Sequence, residues 1–280
     1  MEYGVISTEI PVNSAAELFR KTGEYGFSVM QFNFSSVLGE ELPAEIPDSA
    51  IREIAGEAAK NGIKIAAISG TFNMAHQDPA VRAEGIKRFE KIAASCRALG
   101  CGLASLCTGS RSMEWMWAHH PDNNTPGAWK DMRDSMEKLI VIAEKYDIYL
   151  GIETEASNVV DTPQKAKKLI DELQSPRLKI IMDAANLFRP GMAKPENVRS
   201  VIAEAFGLLG TRIALAHGKD IKESGGISFT YAGNGIIDFG FFINELEKAG
   251  YKGGFVLHGI KDPKNIPGCL EFIKKTISGI

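Results

Sequence analysis

The sequence predicts a single closed (β/α)8 barrel, an α/β TIM barrel that takes in residues 1–280 as one domain. Two observations carry this. Short apolar runs alternate with longer segments of helical periodicity from one end of the chain to the other, and no Pro/Ser-rich linker or shift in composition divides them. The runs are continuously apolar, as in Ile-Lys-Ile-Ala-Ala-Ile or Gly-Phe-Val-Leu, which suits strands covered by helices better than strands with one wet face. Two smaller doubly wound domains would fit the length equally well, since single α/β barrels reach roughly 250 residues. The unbroken alternation favours the barrel.

The eight predicted strands are Tyr3–Ser7, Phe27–Phe32, Ile63–Ile68, Gly102–Cys107, Tyr149–Glu153, Lys179–Asp183, Ile213–His217 and Gly254–His258. Apolar residues three and four apart mark helices at Ile51–Ala58, Ala83–Leu99, Asp131–Tyr146, Pro163–Leu173, Pro195–Leu209, Phe239–Ala249 and Ile266–Ile277. Asn13, Asp48 and Asp161 stand before helical segments, where a short side-chain oxygen can accept an orphan backbone N–H. Gly26, Gly62, Gly100, Gly210 and Gly250 follow helix ends, where a left-handed residue commonly closes the last turn. The longest loops, Phe34–Asp48, Thr108–Pro126 and Gly218–Ile237, follow strands 2, 4 and 7. They open on the C-terminal rim of the barrel, the face on which barrel chemistry sits.

Composition narrows the function. The chain carries 32 Lys+Arg against 35 Asp+Glu, a formal net charge of −3, which argues against a nucleic-acid binder held by phosphate neutralisation. No stretch approaches the roughly 18 consecutive apolar residues of a membrane span, and the first residues carry no basic-then-apolar signal, so no membrane partner is expected. Cys96, Cys101, Cys107 and Cys269 form no CxxC pair and are too sparse for a disulfide framework, which points to reduced, buried thiols in the cytoplasm.

The strand exits concentrate polar residues. Gly70, Asn73 and His76 follow strand 3, Thr108 follows strand 4, and Glu153 and Glu155 end strand 5. Asp183 and Asn186 end strand 6, His217 and Asp220 strand 7, and His258 strand 8. Taken singly, Asp183 reads as a helix cap and His217 as a hydrogen-bonded core histidine. Four such groups on successive strands read differently. Buried charges cost several kcal/mol unless paired or ligated, so Glu153, Asp183, His217 and His258 call for a shared cation. A mixed carboxylate and imidazole set suits Mn, Co, Zn or Fe better than Mg.

The ordered segments Gly-Ile-Glu-Thr-Glu (151–155), Ile-Ile-Met-Asp-Ala-Ala-Asn (180–186), Ala-His-Gly-Lys-Asp (216–220), Gly-Asn-Gly-Ile-Ile-Asp-Phe (233–239) and Gly-Tyr-Lys-Gly-Gly-Phe-Val-Leu-His (250–258) resemble the sugar phosphate isomerase/epimerase family with the xylose isomerase-like barrel. The resemblance implies a divalent ion held by Glu153, Asp183, His217 and a glutamate on the eighth strand. Here His258 stands at that last position, and Asn186 stands where the family's Asp-x-x-His motif places its histidine. In the family's epimerases two metal-bound glutamates exchange a proton on opposite faces of the carbon next to the carbonyl. With one of them replaced, isomerisation by a single base, a lyase or dehydratase reaction, and a binding role without turnover all stay open. A DNA-nicking barrel of the same superfamily is disfavoured by the five histidines and the acidic balance.

The expectation is therefore a cytoplasmic, metal-dependent isomerase or epimerase of a sugar, sugar phosphate or polyol. Glu153 is ligand and general base, and His258 is fourth ligand or acid/base. Trp115 and Trp117 with His119 and His120 offer a stacking wall for substrate, or merely anchor their loop. Asn73 and His76 reach substrate hydroxyls or cap their loop. Asn186 and Asp220 are placed at the substrate, and Lys219 and Asp220 are also placed to orient His217. Gly233-Asn234-Gly235 matches no phosphate-loop pattern and reads as a turn delivering Asp238 as a helix cap. A homo-oligomer is compatible with the sequence.

Overall fold

The computed structural model of the protein describes residues 1–279. Eight parallel strands form the barrel: β1 (Glu2–Ile6), β2 (Val29–Phe32), β3 (Lys64–Ser69), β4 (Leu103–Leu106), β5 (Tyr149–Glu153), β6 (Leu178–Asp183), β7 (Ile213–Ile221) and β9 (Gly254–Leu257). Each pairs with the next, β6 pairs β7, β7 pairs β9, and β9 returns to β1, so the sheet has no free edge. β8 (Phe229–Tyr231) is the exception, an antiparallel partner for the end of β7. That hairpin is why the seventh run continues four residues past its predicted end at His217.

A helix returns the chain after every barrel strand: α1 (Ala15–Glu24), α3 (Asp48–Lys60), α4 (Pro79–Cys96), α5 (Pro126–Tyr146), α6 (Pro163–Leu173), α7 (Val198–Leu209), α8 (Phe239–Lys248) and α9 (Ile266–Ser278). The one-turn α2 (Ser35–Leu38) lies in the loop after β2. Two apolar layers result. Ile6, Val29, Ala67, Leu103, Ile181, Leu215 and Val256 form one buried cluster, one residue from each of seven strands. The larger cluster includes Phe19, Phe89, Met132, Leu169, Phe206, Phe242 and Leu270, one from each of seven helices. Gly4 on β1 is required there, because a Cβ would stand 2.5 Å from Val29 Cγ2.

Several helix ends differ from the predicted ones. Ser14, not Asn13, caps α1 by accepting from Glu17 N–H. Asp48 lies inside α3, and Thr162 caps α6 while Asp161 turns its carboxylate to Lys165. In each case the expected residue is displaced by one position, a shift that spacing alone does not resolve. Helix α4 starts four residues before the expected Ala83, with Asp78 as cap and Pro79 in its first turn. Gly26, Gly62, Gly100 and Gly250 have positive φ as expected. Gly210 does not: its φ is −53° and it continues from α7 into a 3-10 turn.

Candidate metal centre

β5 and β6 end in Glu153 and Asp183, His217 stands beside Asp183 within β7, and the residue after β9 is His258. One ligand atom from each lies within 4.8 Å of the other three. His217 Nδ1 stands 3.5 Å from Glu153 Oε1 and 3.7 Å from Asp183 Oδ2, and His258 Nδ1 is 4.0 Å from the same Asp183 oxygen. Asp183 Oδ2, His217 Nδ1 and His258 Nδ1 are buried atoms without a hydrogen-bond partner. Buried polar atoms are nearly always satisfied. Three unsatisfied ones converging on a common point fit a cation, and two imidazoles with two carboxylates are a donor set suited to a divalent metal.

The four side chains are held from behind. His217 Nε2 meets Gln31 Oε1 from β2 at 2.9 Å, and the Gln31 amide N–H groups face Ser69 Oγ at 3.4 Å and Ser105 Oγ at 3.2 Å. That network assigns the oxygen of Gln31 to the histidine, so Nε2 carries a proton and donates it, and in the neutral imidazole the Nδ1 lone pair faces the cluster. Asn186 Nδ2 donates to Glu153 Oε1 at 2.5 Å, and Asn186 Oδ1 accepts from Lys219 Nζ at 2.6 Å. Asp183 Oδ1 accepts from Ala185 N–H at 2.9 Å, which leaves Oδ2 facing inward.

Lys219 places a buried ammonium 3.3 Å from Asp183 Oδ2 and 4.1 Å from the centre of the Phe229 ring. Burial opposes its charge, but Asp183, Glu153 and Glu155 outweigh that and hold it firmly protonated. Burial also disfavours the Asp183 carboxylate, yet Lys219 and His217 hold its pKa well below the usual range. With no ion between them, burial of His217 is outweighed by Glu153 and Asp183, and the imidazole is raised to about 9. His258 moves the other way: the burial of its ring nitrogen and the charges of Lys219 and His217 keep it neutral.

The remaining predicted residues fall in different places. Asn186 is at the site, bonded to Glu153. Asp220 makes no hydrogen bond to His217 among the described residues. Its carboxylate accepts backbone N–H groups from Ile221, Gly233, Gly235 and Ile237 at 2.8–3.1 Å. It thereby organises the loop after the β8 hairpin, and a Cβ on Gly235 would lie 2.3 Å from Asp220 Oδ1. Asn73 is likewise a clasp, donating to Ser110 O and accepting from Ser110 and Ala75 N–H, so its amide is used up by backbone. His76 Nδ1 accepts from Asp78 N–H at the start of α4, and Thr108 Oγ1 accepts from Val160 N–H. Trp115 lines a cavity of about 1070 Å³ that also meets Glu155, Lys219, Phe229 and His258.

Sequence reading missed Gln31 and Glu9. Gln31 is a polar interruption of an apolar run, a weak signal whose partner is 186 residues away. Glu9 follows β1 and accepts from Gly259 N–H at 2.8 Å, with Oε1 4.0 Å from His258 Nε2. Burial raises its carboxyl to about 7 against the backbone donors of Gly259 and Ile260.

The chain matches the model of the xylose isomerase-like TIM barrel family over residues 19–276. No curated protein matches it. Among solved structures, a D-tagatose 3-epimerase-like protein superposes with a TM-score of 0.78 at 17% identity, covering 99% of this chain and 97% of that one. A xylose isomerase-like TIM barrel protein from Mycobacterium smegmatis in complex with magnesium gives 0.76 at 16% identity, covering 99% and 97%. The 3-keto-D-glucoside 4-epimerase of E. coli gives 0.74 at 18%, covering 98% and 99%. Likeness at these identities establishes the fold and leaves the reaction to the site. On the extent of the family match, the chain belongs to the xylose isomerase-like TIM barrel family.

Proposed function

We propose that the protein is a divalent-metal-dependent isomerase or epimerase of a sugar, sugar phosphate or related polyol, working by proton abstraction next to a carbonyl. The observation that carries this reading is the convergence of three unsatisfied buried atoms, on Asp183, His217 and His258, beside Glu153. Glu153, Asp183, His217 and His258 are the proposed ligands, with Mn, Co, Zn or Fe favoured over Mg by the two imidazoles. When bound, the ion supplies Lewis acidity that polarises the substrate carbonyl.

The chain's own residues supply the rest. Glu153 is fixed through Oε1 by Asn186, and no hydrogen bond among the described residues holds Oε2, which is the oxygen free to take a proton. Lys219 is a fixed positive charge lining the cavity and stabilises the negative charge that develops as the proton leaves. His258 stands at the position of the family's second glutamate, the group that would return the proton, and Glu9 Oε1 lies 4.0 Å from its Nε2. Sugar epimerases of this barrel appear among the structural likenesses, which supports the reaction class.

The four cysteines are unpaired and buried, which supports a reducing, cytoplasmic setting. No helix among the described residues is long and apolar enough to cross a membrane. Elemental analysis of the purified protein, with an activity screen on aldose and ketose panels, tests the proposal. Stoichiometric metal with epimerised or isomerised product is expected. Metal without turnover on any sugar points to a binding role, and protein that takes up no divalent metal overturns the reading.

A further inference from the structure

The cavity above the metal cluster is larger than one reacting ring requires. At about 1070 Å³ it sits at the top of the roughly 300–1,000 Å³ that holds drug-sized ligands. Its lining joins Glu155, Lys219 and His258, which lie at or just beyond strand ends, to Trp115, Trp117 and His119 from the loop after β4. Trp115 is 64% exposed, and neither its indole N–H nor that of Trp117 has an acceptor among the described residues. Exposed indoles of this size on a loose loop would carry little meaning.

This loop is not loose. Asn158 Nδ2 donates to Met116 O at 3.0 Å and Ser110 Oγ to Ala118 O at 2.6 Å, clamping the backbone on either side of Trp117. Asn123 accepts from Arg111 N–H at 2.7 Å and donates to Ser157 O at 2.7 Å, tying the same loop to the segment after β5. Asn123, Asn158 and Ser110 are buried. Buried amides hold the main chain while the two largest side chains are left facing the cavity, which is how a rigid stacking surface is built.

The facing wall is fixed too. Gly191 N–H donates to Gly225 O at 3.0 Å and Ser224 N–H to Ala193 O at 3.2 Å, joining the loop after β6, which lines the same cavity with Arg189 and Met192, to the β7–β8 hairpin. Charge decides the ligand class. The lining cations Arg189 and Lys219 are matched by the carboxylates of Glu155 and Asp161, so the cavity has no excess of either sign to select an anion. Flat aromatic faces ringed by neutral and paired donors suit a pyranose, with one apolar C–H face and a rim of hydroxyls.

We infer that the outer end of the cavity, with Trp115 and Trp117 as its stacking surface, holds a second, neutral sugar ring, so that the protein acts on a glycosidically linked unit larger than a monosaccharide. The inference rests on the proposed reading of the metal centre as the reacting end.

Isothermal titration of the Mn²⁺-loaded full chain with D-glucose and D-fructose, against cellobiose, maltose, sucrose and lactulose, tests it. At least one disaccharide binds about tenfold tighter than either parent ring, the increment expected of two aromatic contacts. In the Trp115→Ala/Trp117→Ala double variant that ratio falls to about one, and in the Phe/Phe double variant it is kept; thermal melts confirm that both fold. The inference is overturned if no disaccharide binds tighter than its parent rings, or if the preference survives the alanine pair. Repeating the titrations on metal-free protein separates the two readings. Loss of metal binding alone removes the proposed chemistry, whereas loss of the disaccharide preference alone removes the second subsite.

Discussion

Replacing Gln31 with leucine tests whether the metal centre depends on a side chain that never touches the ion. Gln31 Oε1 takes the Nε2 proton of His217 at 2.9 Å, and His217 has no exposed surface through which water could substitute. Leucine matches the shape but leaves a buried N–H unsatisfied, at about 1–3 kcal/mol. It also frees the imidazole to carry its proton on Nδ1, the atom that faces Glu153 and Asp183, where it blocks coordination. Loss of such a supporting partner lowers metal affinity by about tenfold to a hundredfold. The assay is competition of Gln31→Leu and wild type for Mn²⁺ or Zn²⁺ against a chelator of known strength, with metal-free melts recorded alongside. Gln31→Glu keeps an acceptor at the same place and is expected to retain most of the affinity. If Gln31→Leu binds metal within threefold of wild type, the tautomer argument is wrong and Gln31 is a packing residue.

Four further outcomes are expected. Glu153→Gln lowers turnover by about 10²–10⁴-fold, the usual contribution of a positioned base, with an unchanged circular dichroism spectrum; a fully active variant removes the proposed base. Lys219→Met breaks a buried ion pair and destabilises the metal-free protein by about 3–5 kcal/mol. Because it removes a cation 3.3 Å from Asp183, it also tightens metal binding, so the gap between metal-free and metal-loaded melting temperatures widens; an unchanged gap refutes the role given to Lys219. Asp220→Ala loses an acceptor for four backbone N–H groups and costs about 3 kcal/mol. Its metal affinity stays near that of wild type, since Asp220 touches no ligand. Finally, His217 is raised from 6.5 to about 9 in the metal-free fold, so its stabilising contribution is complete below pH 6.5 and lost as the pH rises through about 9. Between those values metal uptake releases close to one proton, visible as buffer-dependent heat in calorimetry, and a heat independent of the buffer's ionisation enthalpy contradicts it.

The barrel was legible because its signal is repeated: eight apolar runs with helices between them leave little room for another topology. Glu153, Asp183, His217 and His258 were legible for a related reason, since a charged or imidazole side chain ending a buried strand has few ways to be satisfied. What surrounds them was not. Asp220 and Asn73 share the composition and rim position of a binding residue, but their oxygens and amides are taken by backbone groups of loops whose shape no spacing rule supplies. Gln31 carried the opposite error, because one polar residue in Val-Met-Gln-Phe reads as an imperfection in a strand until the barrel closes and sets it against His217. Nearest-neighbour chemistry announces the candidate cluster; the network that aims its side chains exists only after residues far apart in the chain meet at the axis.

The histidine at position 258 follows from the charge around it. Glu153 and Asp183 contribute two negative charges and Lys219 one positive, so the metal-free cluster carries an excess of −1, which His217 neutralises by taking a proton. A divalent ion displaces that proton and leaves the cluster at +1, with the Glu155 carboxylate two residues beyond Glu153 available to balance it. A glutamate at position 258 would also restore neutrality without Glu155, but it would add a third carboxylate to Glu153 and Asp183 when the ion is absent. The buried lysine and the neutral histidine belong together in the metal-free cluster: Lys219 balances one of the two carboxylates, and a fourth group with no charge of its own adds no further buried negative charge to be offset. Substituting His258→Glu in the wild type therefore strengthens metal binding at the cost of metal-free stability, and in the Lys219→Met background that cost grows, because nothing then offsets the third carboxylate.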